Sequence, residues 1–491
     1  MKKKNDLLKA IGILFLVYVV LSWIIPTGSF SSGSFVKGTT SPLGIFDVLR
    51  YPIVALTSSV FVLNALIILF IGGLYGVLNK TEAYGAFVSS LAKRLKGKEK
   101  RFLVISILVF SILTSLTALT LPMFVLVPFF VAVILLLGYG KITALFSTVG
   151  AILVGNMAST YGFNINGYVS YFFGTNINKM IGYRLGFFVL VVGLLIFVTL
   201  KSAKLEKNVS TKKKGKKEKE ETIVSETKEI PFLELHEKTK KSIVPMITIV
   251  GFVLVLALVG MYNWANVNTK FTFFNNIHEA ITDFTIGKTA IFKNLLGSID
   301  PLGFWTNYEL AILLVLASLL IGWIYNVKFK TVVEAFVEGM KKMLPVAVYT
   351  MIASLIFLLM NSNSNGGTYF NTIANGILGF TKTYDLGNVA NVSINGLIAF
   401  VGGLFFNDFP YLINALTSQL TTLYKNTTLI GLIYQSIHGL VMLVAPTSII
   451  LVAGLKYLNI SYTEWLKNIW KYVVMAFVAI LFILIMAMLL I

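Results

Sequence analysis

Two ionisable side chains lie in stretches that are otherwise largely apolar: Asp408, in Phe405-Phe406-Asn407-Asp408-Phe409-Pro410, and His438, in Tyr434-Gln435-Ser436-Ile437-His438-Gly439. A carboxyl and an imidazole kept out of bulk water can exchange a proton near neutral pH or receive a substrate ammonium. The plainer alternative is structural, with Asp408 capping a helix before Pro410 and His438 donating one core hydrogen bond. Neutral donors and acceptors surround them and a matching region of the first half: Thr117, Thr120, Asn156, Ser159, Thr160, Asn164, Asn407, Gln435, Ser436, Thr447 and Ser448, with Pro446 beside the last two. Such groups can replace the hydration of a carboxylate or a cation. For any single hydroxyl, back-bonding to its own helix is the competing use. Arg184 could hold an anion bidentately or finish a helix.

Other chemistries find no support. The chain has no Cys and three His, of which His236 and His278 lie in polar segments, so no metal-ligand set and no cofactor is expected. There is no Walker motif; Asn361-Ser362-Asn363-Ser364-Asn365-Gly366-Gly367 lacks the lysine of a phosphate loop and reads as a mobile loop or hinge. A membrane-embedded enzyme would need a concentrated catalytic set that is missing. A channel stays open as an alternative, because polar breaks in helices also build filters.

The elements that must position these residues are membrane helices. With 56% hydrophobic and 13% charged residues and a mean hydropathy of +0.83, the chain is too apolar for water to be its main solvent. Apolar runs at 10–25, 60–78, 102–121, 243–262, 343–360 and 472–491 approach the ~20 residues a helix needs to cross hydrocarbon. Helices are expected because a lipid-exposed backbone must satisfy its own hydrogen bonds. The expected fold is an all-α polytopic membrane protein with about 10–12 spans in two inverted repeats, containing broken helices and re-entrant hairpins.

The net charge of +20 reports topology rather than nucleic acid, since the cations sit in short segments between apolar runs. Lys2, Lys3 and Lys4 place the N-terminus in the cytoplasm of a plasma-membrane protein; the loop with Lys93, Arg94, Lys96, Lys98, Lys100 and Arg101 returns to that side. The first run is followed by Pro26-Thr27-Gly28 without a cleavage pattern and is expected to be a span. Residues 201–241 hold 13 Lys and 8 Glu and read as a solvated linker. The chain thus divides into a membrane half at 1–200, a charged cytoplasmic linker at 201–242 and a second membrane half at 243–491. Residues 263–307 and 361–391 are expected as external loops. Val332, Val333, Phe336, Val337 and Met340 share one helical face, as in an interfacial helix or a simple connector.

The halves echo each other. Gly155 to Gly162 and Gly439 to Pro446 share a spacing of two helix breakers within apolar sequence, and each is preceded by another interruption, at 114–122 and at 407–410. Paired breaks at corresponding positions point to a transporter site, because backbone groups freed at mid-membrane are costly unless they line a polar cavity.

Several motifs resemble the YfcC-like branch of the C4-dicarboxylate anaerobic carrier (DcuC-type) family, within the ion-transporter superfamily of inverted-repeat carriers. They are Trp23-Ile24-Ile25-Pro26-Thr27-Gly28-Ser29-Phe30, Ile71-Gly72-Gly73-Leu74-Tyr75-Gly76-Val77-Leu78, Lys96-Gly97-Lys98-Glu99, Val127-Pro128 with Leu137-Gly138-Tyr139-Gly140, and Tyr183-Arg184. The most specific is Ala445-Pro446-Thr447-Ser448 leading through Ala453-Gly454-Leu455 to Tyr462-Thr463-Glu464-Trp465-Leu466-Lys467. The resemblance implies a secondary transporter with two re-entrant hairpins, carrying carboxylates, amino acids or short peptides by H⁺ or Na⁺ coupling or by exchange, and homodimers are common in the superfamily. The chain departs from the pattern at Thr117-Ala118, where the family has two Glu, at Tyr161-Gly162-Phe163, where it has Asn-Pro-Phe, and at Ile437-His438, where it has Gly-Asp. Acidic groups are therefore missing at familiar positions.

Overall fold

With no water to bond their peptide groups, the apolar runs close their hydrogen bonds internally and become helices. The computed structural model describes residues 5–203, 230–234, 239, 241–268, 270–287, 289–361, 367–384, 388–424 and 427–490. Most of the expected linker, and residues 362–366 of the expected hinge, lie outside the described residues.

Eight helices among the described residues are long and apolar enough to cross a bilayer. They are α1 (Asp6–Ile24), α3 (Ser59–Lys80), α5 (Glu99–Thr117), α9 (Ile181–Ser202), α10 (Val244–Met261), α13 (Asn307–Ile324), α14 (Phe329–Ala353) with its continuation α15 (Leu355–Asn361), and α21 (Tyr462–Leu490). Shorter apolar helices complete the body: α6 (Thr120–Leu136), α7 (Lys141–Met157), α17 (Asn388–Phe405), α19 (Thr427–Met442) and α20 (Ile449–Leu458). Between them lie α2 (Ile45–Thr57), α4 (Ala83–Arg94), α8 (Tyr168–Phe173), α16 (Tyr369–Tyr384) and α18 (Phe409–Leu423). A two-stranded hairpin, Gly28–Ser31 with Ser34–Lys37, follows the first span.

The short helices are arranged as a hairpin followed by a broken helix, twice. In the first half α5 and α6 turn back on each other at Ala118-Leu119, with Phe102 and Phe110 of one arm against Phe130 of the other. Helix α7 then runs parallel to α5, since Ser106 donates to the Ser147 carbonyl at one end and Ser115 to the Ala158 carbonyl at the other. In the second half α17 and α18 meet at 406–408, and α19 runs parallel to α17, with Asn395 opposite Tyr434 and Gly403 against Val441. Helix α19 passes α7 and α8 in the opposite sense: Gly431 packs on Val169 and Gly439 on Met157.

Beside these units α3 and α14 form a close antiparallel pair, in which Gly72 faces Gly339 and Gly73 faces Phe336. A Cβ on Gly339 would overlap the Gly72 carbonyl, so glycine is what permits the contact. This corrects the reading of 332–340 as an interfacial helix or a connector. Val332 and Ala335 are buried and Phe336 meets Gly73, whereas Val333 and Val337 are exposed; the stretch is the start of α14, continuous with a span, and only part of its apolar face packs on α3. The stretch 361–391, expected as a loop, likewise contains the helix α16. Residues 263–307 carry three short helices of their own, at Trp264–Val267, Phe273–Thr282 and Ile291–Leu296.

Helices α10 and α13 form another hairpin. Gly303 and Trp305 both donate to the Gly260 carbonyl at one end (2.7 and 3.0 Å), and Tyr325 donates to the Ser242 carbonyl at the other. The second end marks the face of the charged linker; the first end is the face away from it. The returning linker docks there: Asn79 donates to the Phe232 carbonyl (2.7 Å) and accepts from the Glu234 amide (3.3 Å), while the Phe232 ring stacks on Tyr457.

Candidate functional site

Each interruption has a local cause. Helix α5 stops because Ala118 adopts a left-handed conformation (φ 57°), a strained choice for a residue with a Cβ. Helix α18 starts at Phe409 with Pro410 in its first turn, where the missing N–H costs nothing. The break after α7 runs through Ala158 to Gly162, and that after α19 through Leu443 to Thr447.

The first break is sewn up by protein groups. The Ser115 carbonyl accepts from the Thr160 amide (2.9 Å), the Ser159 hydroxyl (3.1 Å) and the Thr160 hydroxyl (3.3 Å). The Ser159 carbonyl accepts from Asn166 (2.8 Å) and from Gln435 of the second half (2.7 Å). The Thr160 carbonyl accepts from the buried Arg184 guanidinium (2.8 Å), whose other arm meets the Lys179 carbonyl (2.6 Å). Tyr262 donates to the Tyr161 carbonyl (2.9 Å). In the second half Trp465 donates to Leu443, Tyr462 to Val444, Asn407 to Thr447 and Thr447 to Leu404. Backbone groups freed by the breaks are thus mostly satisfied by the protein itself.

What the breaks create is space. Both hairpin tips and both broken helices border one cavity of about 390 Å³, within the range of small-molecule sites. Asn156 and Ser448, from the two broken helices, both line it. So do Thr120, Asn164, Asn407, Asp408 and His438. Asp408 sits at the N-cap of α18 with its side chain exposed to this space. His438 is buried, and its Nε2–H donates to the Phe406 carbonyl (2.9 Å), with the Phe409 ring beside it. The carbonyl can only accept, so that nitrogen carries the proton. The first turns of α18 and α20 open on the same cavity, adding the positive ends of two helix dipoles.

The remaining sequence-derived candidates stand behind the wall. Ser159, Thr160 and Gln435 are buried in the stitching just described; Thr447 is buried and Pro446 half-buried beside it. The Thr117 hydroxyl back-bonds to Leu113 (2.7 Å) and caps the Leu119 amide (3.2 Å). Sequence reasoning missed the opposite wall: Asn64 of α3, Met261 at the end of α10, and Trp305, Thr306 and Asn307 at the start of α13. Asn307 donates to Asn64 there (2.8 Å). Only Thr306-Asn307-Tyr308-Glu309, a capping box, carried a local signal; Thr306 donates its amide to Glu309 (2.6 Å).

A polytopic helical body with paired hairpins and broken helices around one cavity that mixes apolar and polar side chains is an architecture suited to a membrane carrier. The sequence matches the C4-dicarboxylate anaerobic carrier family (DcuC) over residues 5–489, and the chain belongs to that family. The family is one of transporters and not of enzymes, so the partners of the chain are a small-molecule substrate and the lipid bilayer. No curated protein matches the chain. Among solved structures it is similar to the YdaH transporter of Alcanivorax borkumensis, at 13% identity over 97% of this chain and 96% of that one, with a TM-score of 0.40.

Proposed function

We propose that the chain is a secondary active carrier of a small carboxylate-bearing metabolite, and that the metabolite also bears an ammonium group, as amino acids and short peptides do. The observation that carries this is the polar part of a largely apolar cavity wall: amides, hydroxyls, the His438 imidazole, two helix N-termini and the Asp408 carboxyl, with no Lys or Arg among its lining residues. Helix N-termini and amide groups suit a carboxylate, and Asp408 suits an ammonium. A C4-dicarboxylate would bring two negative charges to a wall that has one acid and no fixed cation, which makes it the poorer fit.

In this reading the segments 1–200 and 243–491 are inverted repeats, supported by the opposite running sense of α7 and α19, and the 201–242 linker is cytoplasmic, supported by its lysines. Thr120, Asn156, Asn164, Asn407 and Ser448 bind substrate, and Asp408 with His438 couples binding to a proton. Ser159, Thr160, Gln435 and Thr447 hold the wall in shape.

Purified protein in proteoliposomes tests the proposal. Labelled neutral amino acids, dipeptides and C4-dicarboxylates are offered with and without imposed H⁺ and Na⁺ gradients. Saturable uptake with counterflow of an ammonium-bearing substrate is expected. Preferential uptake of a dicarboxylate overturns the substrate class, and single-channel currents with non-saturating flux overturn the carrier.

A further inference from the structure

The segment between α10 and α13 is unlike the rest of the chain outside the spans. It holds α11 (Phe273–Thr282), a two-residue strand pair (Thr285–Ile286 with Thr289–Ala290) and α12 (Ile291–Leu296), which pack on each other. Neither helix has a buried residue. Yet Phe273, Ile277, Ile281, Phe292, Leu295 and Leu296 are all exposed, Leu295 by 76%. In α11 the spacing of Phe273, Ile277 and Ile281 puts them on one face, with Asn275, Glu279 and Thr282 on the other. A patch of this kind in water is an interaction surface without its partner.

We propose that this partner is the lipid bilayer: α11 and α12 lie in the headgroup region on the face away from the linker, apolar side down, as an amphipathic anchor. Three observations favour lipid over protein. The segment leaves one span at Met261 and enters the next at Asn307, and its second root is pinned to its first by the Gly303 and Trp305 amides on the Gly260 carbonyl, so it is held at the membrane surface. Its root is an aromatic cluster, Trp264 with Tyr262, Phe271 and Phe274 at centroid separations of 4.7, 5.3 and 5.7 Å, the side-chain type that collects at that depth. Exposed Lys270 and Lys293 flank the apolar face, placed to meet lipid phosphate. Met261 and Trp305 line the cavity, so the anchor fixes the wall opposite Asp408 relative to the bilayer.

The absence of native cysteine allows a direct test on the full chain. Single Cys substitutions at Ile277, Ile281, Leu295 and, as controls, Glu279 and Thr282 are spin-labelled in the protein reconstituted in phosphatidylcholine–phosphatidylglycerol liposomes. Accessibility to oxygen, which concentrates in lipid, is compared with accessibility to a water-soluble nickel chelate. The expected result is an oxygen-to-nickel ratio severalfold higher at Ile277, Ile281 and Leu295 than at the two controls, with a depth of about 5–10 Å below the phosphates. Equal ratios at all five positions overturn the proposal. Shielding of the apolar positions from both reagents also overturns it, by showing that a protein surface, such as a second copy of this chain, covers the face.

Discussion

Gln435 of α19 donates its amide Nε2–H to the Ser159 carbonyl across 2.7 Å, so a side chain of the second half closes the interruption in the first. The same amide also reaches the Met157 carbonyl (3.3 Å). Both partners are buried, and the two halves are joined at the place where the regular helix ends.

Replacing Gln435 by leucine should therefore cost stability rather than substrate contact. Two buried carbonyls lose a donor, although that of Ser159 keeps Asn166, a loss of about 1–3 kcal/mol. Thermal unfolding in detergent is expected to show a lower midpoint for Gln435→Leu, with Gln435→Glu lowered too because a carboxylate cannot donate. A midpoint equal to wild type in both would show that the contact is incidental.

Arg184 supports the same break from the other side, by a fork that spans the Thr160 and Lys179 carbonyls. A lysine offers a single point of charge and cannot reproduce this geometry. For Arg184→Lys the maximal uptake rate is expected to fall several-fold with KM little changed, since the guanidinium shapes the wall and does not line the cavity. A rise in KM alone would place the guanidinium on the substrate instead.

The pH dependence of uptake tests the role given to Asp408. A carboxylate pairs with an ammonium, whereas a protonated carboxyl does not, so the affinity of wild type for an amino-acid substrate should weaken as acidification protonates Asp408. Asp408→Asn should bind more weakly throughout and show a flat profile. His438→Gln keeps a donor for the Phe406 carbonyl and should fold normally, which separates a coupling role from a structural one. Wild-type profiles retained by both variants would remove the protonatable pair.

Close packing of α3 on α14 gives a further contrast. Gly339→Ala inserts a methyl where the Gly72 carbonyl sits and should force the helices apart, lowering folded yield and unfolding temperature. Gly193→Ala, in α9 with nothing within 4 Å of the added methyl, should be neutral or gain up to about 1 kcal/mol. Equal behaviour of the two in a detergent-stability assay would refute the packing argument.

The breaks were legible in the sequence because breakers act locally: Ala118-Leu119 before Pro122, Gly155 to Gly162, Asp408 before Pro410 and Gly439 to Pro446 interrupt helices by backbone geometry that neighbours in sequence decide. So was the membrane setting, since hydropathy over twenty residues is a property of the run itself. The amphipathic stripe of 332–340 told only part of the story, because a periodic apolar face does not say what covers it; the glycines of α3, some 260 residues earlier, take Ala335 and Phe336, while Val333 and Val337 stay exposed.

What only tertiary structure decided is which polar groups face the cavity. Asn156 and Ser159 lie three residues apart in one apolar stretch, yet the first lines the cavity while the second is consumed by Ser115. Asn64, Met261 and Asn307 form the facing wall without any break near them. Sequence settles what a helix can bury and where it must stop; the direction in which a side chain looks, and the partner that reaches it first, depend on helices far away in the chain, and that is information no local pattern contains.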